Sequence, residues 1–154
     1  MNVKDLINKD LINLNLKAKT KKDVLKEITK MINADNRLNS EQLYYDKLLE
    51  REKQFSTGVG YGIAIPHAKT DAVKMPTMVI IRLSSPIEWQ SIDDKQVNLV
   101  IGLAVPENQG DNTHLKIISK LSMRLMEDDF RRDLMKAENK DDILNLINLV
   151  FLER

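Results

Sequence analysis

The chain has 154 residues, with 24 lysines and arginines against 23 acidic residues and a formal net charge of +1. This balance offers no basic surface for nucleic acid or an anionic membrane. The absence of cysteine excludes disulfides, thiolate catalysis and cysteine metal sites. Two histidines far apart in sequence do not form a zinc signature. We expect one domain over residues 1–154, with no metal and no cofactor.

The beginning of the sequence has neither the basic nor the apolar region of a signal peptide. No apolar run approaches the length of a membrane span, which predicts a protein without direct membrane insertion. A chain without cysteine also suits a reducing compartment. The sequence therefore predicts a cytoplasmic location.

The first third of the chain predicts one strand and two helices. Apolar and polar residues alternate over 12–16, the pattern of a half-buried strand. Thr20 and Ser40 are good N-caps for helices that end near residues 32 and 53. Arg51 lies near the end of the second helix, where the helix dipole favours a cation, and this alone would explain its presence. The second helix is predicted to bury Leu43, Tyr44 and Leu48.

Residues 56–69 are glycine-rich and then apolar. The three glycines alternate with other residues, which allows positive φ or close backbone approach: Gly58, Gly60 and Gly62. Residues 63–65 predict a short buried strand that Pro66 should end, so His67 is expected at a strand end, presented to an incoming molecule. The alternative is a structural or surface histidine. A nucleotide-binding loop does not fit, because the glycines precede the strand and no Gly-Lys-Ser/Thr follows.

Two further apolar runs predict strands. The first covers 78–83 and is expected to end at residues 84–86, after which Trp89 packs a connecting loop against the domain. The second covers 97–105 and is nearly continuous in apolar residues, which is typical of a central strand buried on both faces.

The C-terminal part of the chain predicts three helices. A polar loop at 107–111 precedes a helix over about 112–127, with Asp111 or Asn112 as its cap. His114 then lies in the first turn, where unpaired N–H groups attract anions. This helix is predicted to bury Leu115, Ile118, Leu121 and Leu125. The two shorter helices begin near Asp128 and Lys140. Helices at both ends of a group of strands predict an α/β layered sandwich.

Three separated motifs carry a resemblance to a known family: Arg51-Glu52, the segment 56–69 with its Gly62-Ile63-Ala64-Ile65-Pro66-His67 core, and His114-Leu115. Together they resemble the enzyme IIA family of the bacterial sugar phosphotransferase system, fructose/mannitol type, which includes a nitrogen-regulatory branch. The similarity runs from about Leu11 to about Val150. It implies a mixed β-sheet flanked by helices. The pair Asp94-Lys95 departs from the Asp-Gly often found there, which affects only a turn.

The resemblance also implies a phosphoryl relay. His67 would accept a phosphoryl group from the phosphocarrier protein HPr and pass it to a sugar-specific IIB component, which works with a membrane IIC component. An imidazole with a pKa of about 6.5 suits this role, because much of it is neutral at cytosolic pH. His114 is implied to stabilise the phosphate and Arg51 to neutralise its charge. Ser56 and Thr57 are candidate phosphate ligands, with the alternative that they only form the turn.

Two function classes stay open at this point. The first is a phosphocarrier for the uptake of fructose, mannitol or a related polyol. The second is a nitrogen-regulatory IIA protein, which controls other proteins by its phosphorylation state. A degenerate domain that only binds is disfavoured, because His67, His114 and Arg51 are all present.

Overall fold

The structure is a computed structural model, and it describes residues 3–107 and 112–152. These residues form helices and strands in the following order: α1 (Val3–Leu6), β1 (Ile12–Leu16), α2 (Lys21–Ala34), α3 (Glu41–Gln54), β2 (Gly58–Gly60), β3 (Ile63–Ala64), β4 (His67–Lys69), β5 (Thr77–Ile87), β6 (Val97–Val105), α4 (Thr113–Leu125), α5 (Asp128–Lys136) and α6 (Lys140–Val150). A 3₁₀ turn, Lys9–Leu11, precedes β1. Within these ranges no helix is both long and apolar enough to cross a membrane.

The strands form one mixed sheet in the order β1-β5-β6-β3-β2, with β4 also paired to β6. Pairing is parallel for β1 with β5 and for β3 and β4 with β6, and antiparallel for β5 with β6 and β2 with β3. Every residue of β6 except Asn98 is buried, so both faces of this central strand are covered. Helix α2 packs directly on it, since a side chain at Gly102 would come within 3.0 Å of Ile28. The predicted α/β fold, a mixed sheet flanked by helices, is confirmed.

Both predicted helix caps are confirmed. The Thr20 hydroxyl accepts a hydrogen bond from the Asp23 N–H, and the Asp23 carboxylate accepts one from the Thr20 N–H, which makes a reciprocal capping box at α2. The Ser40 hydroxyl accepts from the Leu43 N–H at 3.1 Å and caps α3. Short polar side chains therefore set where these two helices begin.

Helix α3 is fixed to the sheet by Tyr44. Its ring is fully buried, and its hydroxyl donates to the Leu103 carbonyl of β6 at 3.0 Å. Leu48, one turn later, is buried as predicted. The prediction for Leu43 is wrong, because its side chain is 40% exposed. Adjacent helical residues point about 100° apart, so the face that buries Tyr44 turns Leu43 outward.

One predicted strand end is wrong, and a new strand that was not predicted follows the other. The chain does leave β3 at Ala64, but it resumes as β4 at His67, which therefore begins a strand. The Pro66 carbonyl still accepts from the Leu103 N–H at 2.9 Å, so the missing proline N–H does not prevent pairing. Strand β5 likewise continues through Pro86 to Ile87. Its register with β6 shifts after Arg82, and a proline fits where the regular ladder is interrupted.

Helix α4 has His114 in its first turn, as predicted. Asn112 occupies the N-cap position without a capping hydrogen bond from its side chain, and Asp111, the other candidate, lies outside the described residues. The predicted burial of Leu115 is wrong, because its side chain is 53% exposed. Ile117 is fully buried instead, so the first part of the helix is rotated relative to the predicted orientation.

Candidate functional site

Four elements border a pocket of about 330 Å³: the end of α3, strand β4, the last residue of β6 and the first turn of α4. The pocket is lined by Lys47, Glu50, Arg51, Gln54, His67, Ala68, Lys69, Val105 and His114. The predicted residues Arg51, His67 and His114, which are far apart in sequence, therefore meet in one place. Besides the two histidines, four of the lining side chains carry N–H donors: Lys47, Arg51, Gln54 and Lys69.

Pairing with the central strand places these elements together. His67 lies opposite Leu103 in the parallel β4–β6 pair, and Lys69 lies opposite Val105. The hydrogen bond from Tyr44 to Leu103 holds α3 beside the same strand pair. Side chains alternate along a strand, so His67 and Lys69 share a face while Ala68 between them is buried.

The His67 ring is half-buried and held in one orientation. Its Nδ1 lies 2.8 Å from the Ile65 carbonyl oxygen. A carbonyl oxygen only accepts, so Nδ1 carries the hydrogen, and in the neutral ring Nε2 keeps its lone pair. Burial lowers the pKa of His67 below its ordinary value; the Ile65 hydrogen bond opposes this shift, and the positive charge of Arg51 adds to it, as does His114 when its ring is protonated. At neutral pH the ring is therefore mostly neutral, and the lone pair of its Nε2 is not protonated.

His114 is also held neutral. Burial lowers its pKa, and the Lys69 ammonium lowers it further. Its Nδ1 is buried and meets no hydrogen-bond partner in the described part of the chain. A buried polar atom without a partner is rare, and a bound group that supplies the partner is one explanation for it.

Arg51 combines a structural contact with spare donors. Its Nη1 donates to the Phe55 carbonyl at 2.8 Å, just beyond the end of α3, which agrees with the simple dipole explanation. A guanidinium has five N–H groups, so most of them remain available after this bond. No ion pair to Arg51 is found among residues 3–107 and 112–152. The pocket therefore contains the Arg51 charge without an ion pair to it among these residues.

Ser56 and Thr57 do not line the pocket. The Ser56 hydroxyl donates to the Trp89 carbonyl at 2.8 Å and accepts from the Gly58 N–H at 3.2 Å. Thr57 is buried, and its hydroxyl and amide both donate to the Glu52 carboxylate. These contacts agree with the alternative in which the two residues form the turn, while their direct contact with phosphate stays a prediction.

Sequence reasoning gave no role to Lys47, Lys69 or Glu52. The first two line the pocket, and the spacing of Lys47 to Arg51 on a helix and of His67 to Lys69 on a strand would have placed them there. Glu52 is buried, which its polar neighbours in the sequence do not reveal. No cluster of three or more histidine or acidic side chains suitable for a metal ion occurs in the described ranges.

Comparisons with known proteins agree with this geometry. Residues 5–149 match the family model described as "Phosphoenolpyruvate-dependent sugar phosphotransferase system, EIIA 2". The chain is 38% identical over 148 residues to the fructose-specific EIIABC component of Bacillus subtilis, covering 96% of this chain but only 23% of that protein. It is also 38% identical over 138 residues to the fructose-specific EIIA component of Haloferax volcanii, covering 90% of this chain and 89% of the relative.

A solved structure supports the same assignment. The nitrogen regulatory protein IIA-Ntr of Neisseria meningitidis superposes with a TM-score of 0.86 at 30% identity, covering 93% of this chain and 97% of that one. The match to the family model extends over most of the chain and includes the three residues that meet in the pocket. The chain therefore belongs to the EIIA 2 family of the phosphoenolpyruvate-dependent sugar phosphotransferase system.

Proposed function

We propose that this protein is a phosphocarrier that accepts a phosphoryl group from phospho-HPr on His67 and passes it to a sugar-specific IIB component. The observation that carries the proposal is the state of the His67 ring. Its Nδ1–H is bound to the Ile65 carbonyl, its pKa is lowered by burial, and its Nε2 has no hydrogen-bond partner in the described ranges. The ring lines a pocket that also contains Arg51. A neutral imidazole of this kind attacks phosphorus without a metal or cofactor.

The transfer is a simple exchange of bonds. The bond between phosphorus and the donor atom of phospho-HPr breaks, and the Nε2 lone pair of His67 forms a new bond to phosphorus. The reverse exchange delivers the group to the IIB component. Catalysis of such a transfer consists mainly of in-line positioning and stabilisation of the charge on the phosphoryl oxygens.

The surrounding side chains suit the phosphorylated product, which carries close to two negative charges. Arg51 supplies spare guanidinium donors, and charge-assisted hydrogen bonds to phosphate are the strong ones. Neutral His114 has a ring N–H to donate, and a phosphoryl oxygen would supply the partner that its buried Nδ1 lacks among the residues that the structure describes. We assign His114 and Arg51 to phosphate stabilisation, and no part of this scheme requires Ser56 or Thr57 to touch the phosphate.

The relatives favour sugar uptake over regulation. Two relatives named fructose-specific are each 38% identical to this chain, whereas the nitrogen-regulatory structure is 30% identical. A fructose-type IIB component, with its membrane IIC component, is therefore the proposed acceptor, and the exchange would take place in the cytoplasm. The regulatory alternative shares the same phosphohistidine and differs only in what the protein does next.

A phosphorylation assay tests the proposal. The purified protein is incubated with phosphoenolpyruvate, enzyme I and HPr, as wild type, as His67→Ala and as His114→Ala. We expect acid-labile phosphate on the wild type and on His114→Ala, and none on His67→Ala. A fructose-type IIB component is then added, and we expect the label to leave this protein for IIB.

The outcomes separate the competing schemes. Label that persists on folded His67→Ala would show that His67 is not the acceptor. Unlabelled, folded wild type in the presence of a matched HPr would exclude a phosphocarrier. Label that forms but does not pass to IIB would favour the regulatory branch.

A further inference from the structure

Glu52, the residue after Arg51, is a buried carboxylate with a full set of partners. Its side chain is 6% exposed, and burying such a charge is costly unless it is paired and hydrogen-bonded. Oε2 accepts from the Lys21 ammonium and from the Thr57 N–H, each at 2.9 Å. Oε1 accepts from the Thr57 hydroxyl at 2.5 Å. Glu52 thus fixes both the backbone and the side chain of Thr57.

Thr57 also connects Glu52 to the single tryptophan. The Thr57 hydroxyl accepts from the Trp89 indole N–H at 3.1 Å, and the Lys21 ammonium lies 5.3 Å from the centre of the same ring. The ring is fully buried. Lys21, Glu52, Thr57 and Trp89 therefore form one closed polar cluster beneath the glycine-rich turn, which we call the Glu52 cluster.

The Glu52 cluster continues to the reactive histidine through main-chain bonds. The Thr57 carbonyl accepts from the Ile65 N–H at 2.9 Å, and the Ile65 carbonyl accepts from the His67 Nδ1–H at 2.8 Å. Thr57 and Ile65 are only 4% and 3% exposed, so these bonds are shielded from water. In such surroundings hydrogen bonds strengthen one another, and a displaced partner is not replaced by solvent.

We propose that Glu52 is a positioning residue for His67: through Thr57 and Ile65 it holds the imidazole ring in the Nδ1–H tautomer that leaves Nε2 as the nucleophile. The role in phosphoryl transfer rests on the proposed function, whereas the control of the tautomer does not. The charge of Glu52 also acts on the ring directly, because it raises the pKa of His67 against the effect of burial.

The competing explanation is that Glu52 only stabilises the fold, and the chain offers a matched control for it. Thr77 is fully buried, and its hydroxyl accepts from Arg37 and donates to the Met75 carbonyl. Thr57→Val and Thr77→Val therefore each remove one buried hydroxyl with two hydrogen bonds. Only the first of these hydroxyls is connected to His67.

The experiment measures the His67 ring before any phosphoryl group is added. Nitrogen-15 NMR reports which ring nitrogen carries the hydrogen, and the phosphorylation rate is measured on the same samples. For Glu52→Gln we expect a mixture of tautomers and a rate lower by roughly tenfold, the scale on which partners that orient a reactive histidine act. For Thr57→Val we expect a smaller change in the same direction. Thr77→Val should keep the wild-type tautomer and rate.

Several results would overturn the proposal. One is a wild-type tautomer and rate in folded Glu52→Gln and Thr57→Val; another is an equal loss of rate in Thr77→Val, which would assign the effect to general stability. If Glu52→Gln does not fold, Thr57→Val decides, because it leaves every charge in place. Failure of the proposed function looks different: the wild type would take no label, and the tautomer result would still stand.

Discussion

The pocket around His67 and the cluster around Arg37 each contain an arginine, but the two arginines differ in how many of their donors are bonded within the protein. Arg37 is 7% exposed, and its donors bind the Asp35 carboxylate at 2.7 Å, the Asp5 carbonyl at 2.6 Å and the Thr77 hydroxyl at 3.3 Å. In the pocket, Arg51 makes one bond to a carbonyl and faces two neutral imidazoles. A cation whose donors are used internally stabilises the fold, whereas one with spare donors beside a neutral imidazole is available to an anion, as the proposed function requires.

The largest expected effect on stability is in the Arg37 cluster. Arg37→Met leaves the Asp35 carboxylate without its ion pair and the Asp5 carbonyl without this donor. Breaking a buried pair from one side should lower the free energy of unfolding by about 3 kcal/mol, measured by urea denaturation. The phosphorylation rate of the folded fraction should not change. Unchanged stability, or a folded variant that takes no label, would contradict the distinction between the two regions.

The largest expected effect on transfer, after loss of His67 itself, is that of Arg51→Met. We expect the phosphorylation rate to fall roughly 100-fold, because a fixed donor at developing charge is removed. The free energy of unfolding should change by less than about 1 kcal/mol, since Arg51 contributes one helix-end contact. Lys53→Met is the matched control, because Lys53 is an exposed cation of the same last turn that does not line the pocket. Equal rates for the two variants would make Arg51 a capping residue only.

Local sequence signals predicted the parts of the fold that local physics decides. The continuous apolar run at 97–105 gave the bounds of the central strand, and Thr20 and Ser40 gave two helix starts, because capping is a short-range interaction. Strand β4 was missed, since a three-residue strand after Pro66 exists only through its pairing with β6. Pairing with β6 also extends β5 past its predicted end, since Ile87 lies opposite Val97.

The candidate site divides in the same way. The resemblance singled out Arg51, His67 and His114, and the structure brings them into one pocket. Which His67 nitrogen is free depends on the position of the Ile65 carbonyl, which no spacing in the sequence reveals. The burial of Glu52 is likewise a result of packing, because Lys21, thirty-one positions away in the chain, supplies its counter-ion.

A smaller effect is expected from Lys69, which lies on the pocket side of β4 but is exposed. Lys69→Met should lower the phosphorylation rate roughly threefold at low ionic strength, with the difference shrinking as salt screens the charge. The pKa of His114 should rise towards its ordinary value, because the Lys69 ammonium lowers it. NMR titration of His114 measures this shift. Lys95→Met is the control, because Lys95 is an exposed lysine in another turn. Equal effects of the two variants would show that Lys69 acts only through the net charge of the protein.

The smallest and most diagnostic effect is the pH dependence of the phosphorylation rate and of the stability, which the lowered pKa of His67 determines. Burial lowers the pKa of His67, so its Nε2 stays available below the ordinary value of about 6.5, and the phosphorylation rate should decline only as pH falls through the lowered value. The unfolded chain binds a proton on His67 at about pH 6.5, and the folded chain binds it only at lower pH. The contribution of the neutral His67 ring to the free energy of unfolding is therefore complete above about pH 6.5 and is lost as the pH falls through the lowered pKa. When the pH is lowered below about 6.5, the free energy of unfolding should therefore fall less for His67→Gln than for the wild type.

Arg51→Met sharpens this test, because the Arg51 charge is one cause of the lowered pKa. In that variant the midpoint of the pH–rate profile should move upward, towards neutral pH, in parallel with the NMR titration of the His67 ring. Lys53→Met should leave the midpoint unchanged. A wild-type rate that already falls by half at or above pH ~6.5 would mean that the ring is not held neutral. The contrast with Arg37, which is paired with Asp35, would then lose its chemical basis.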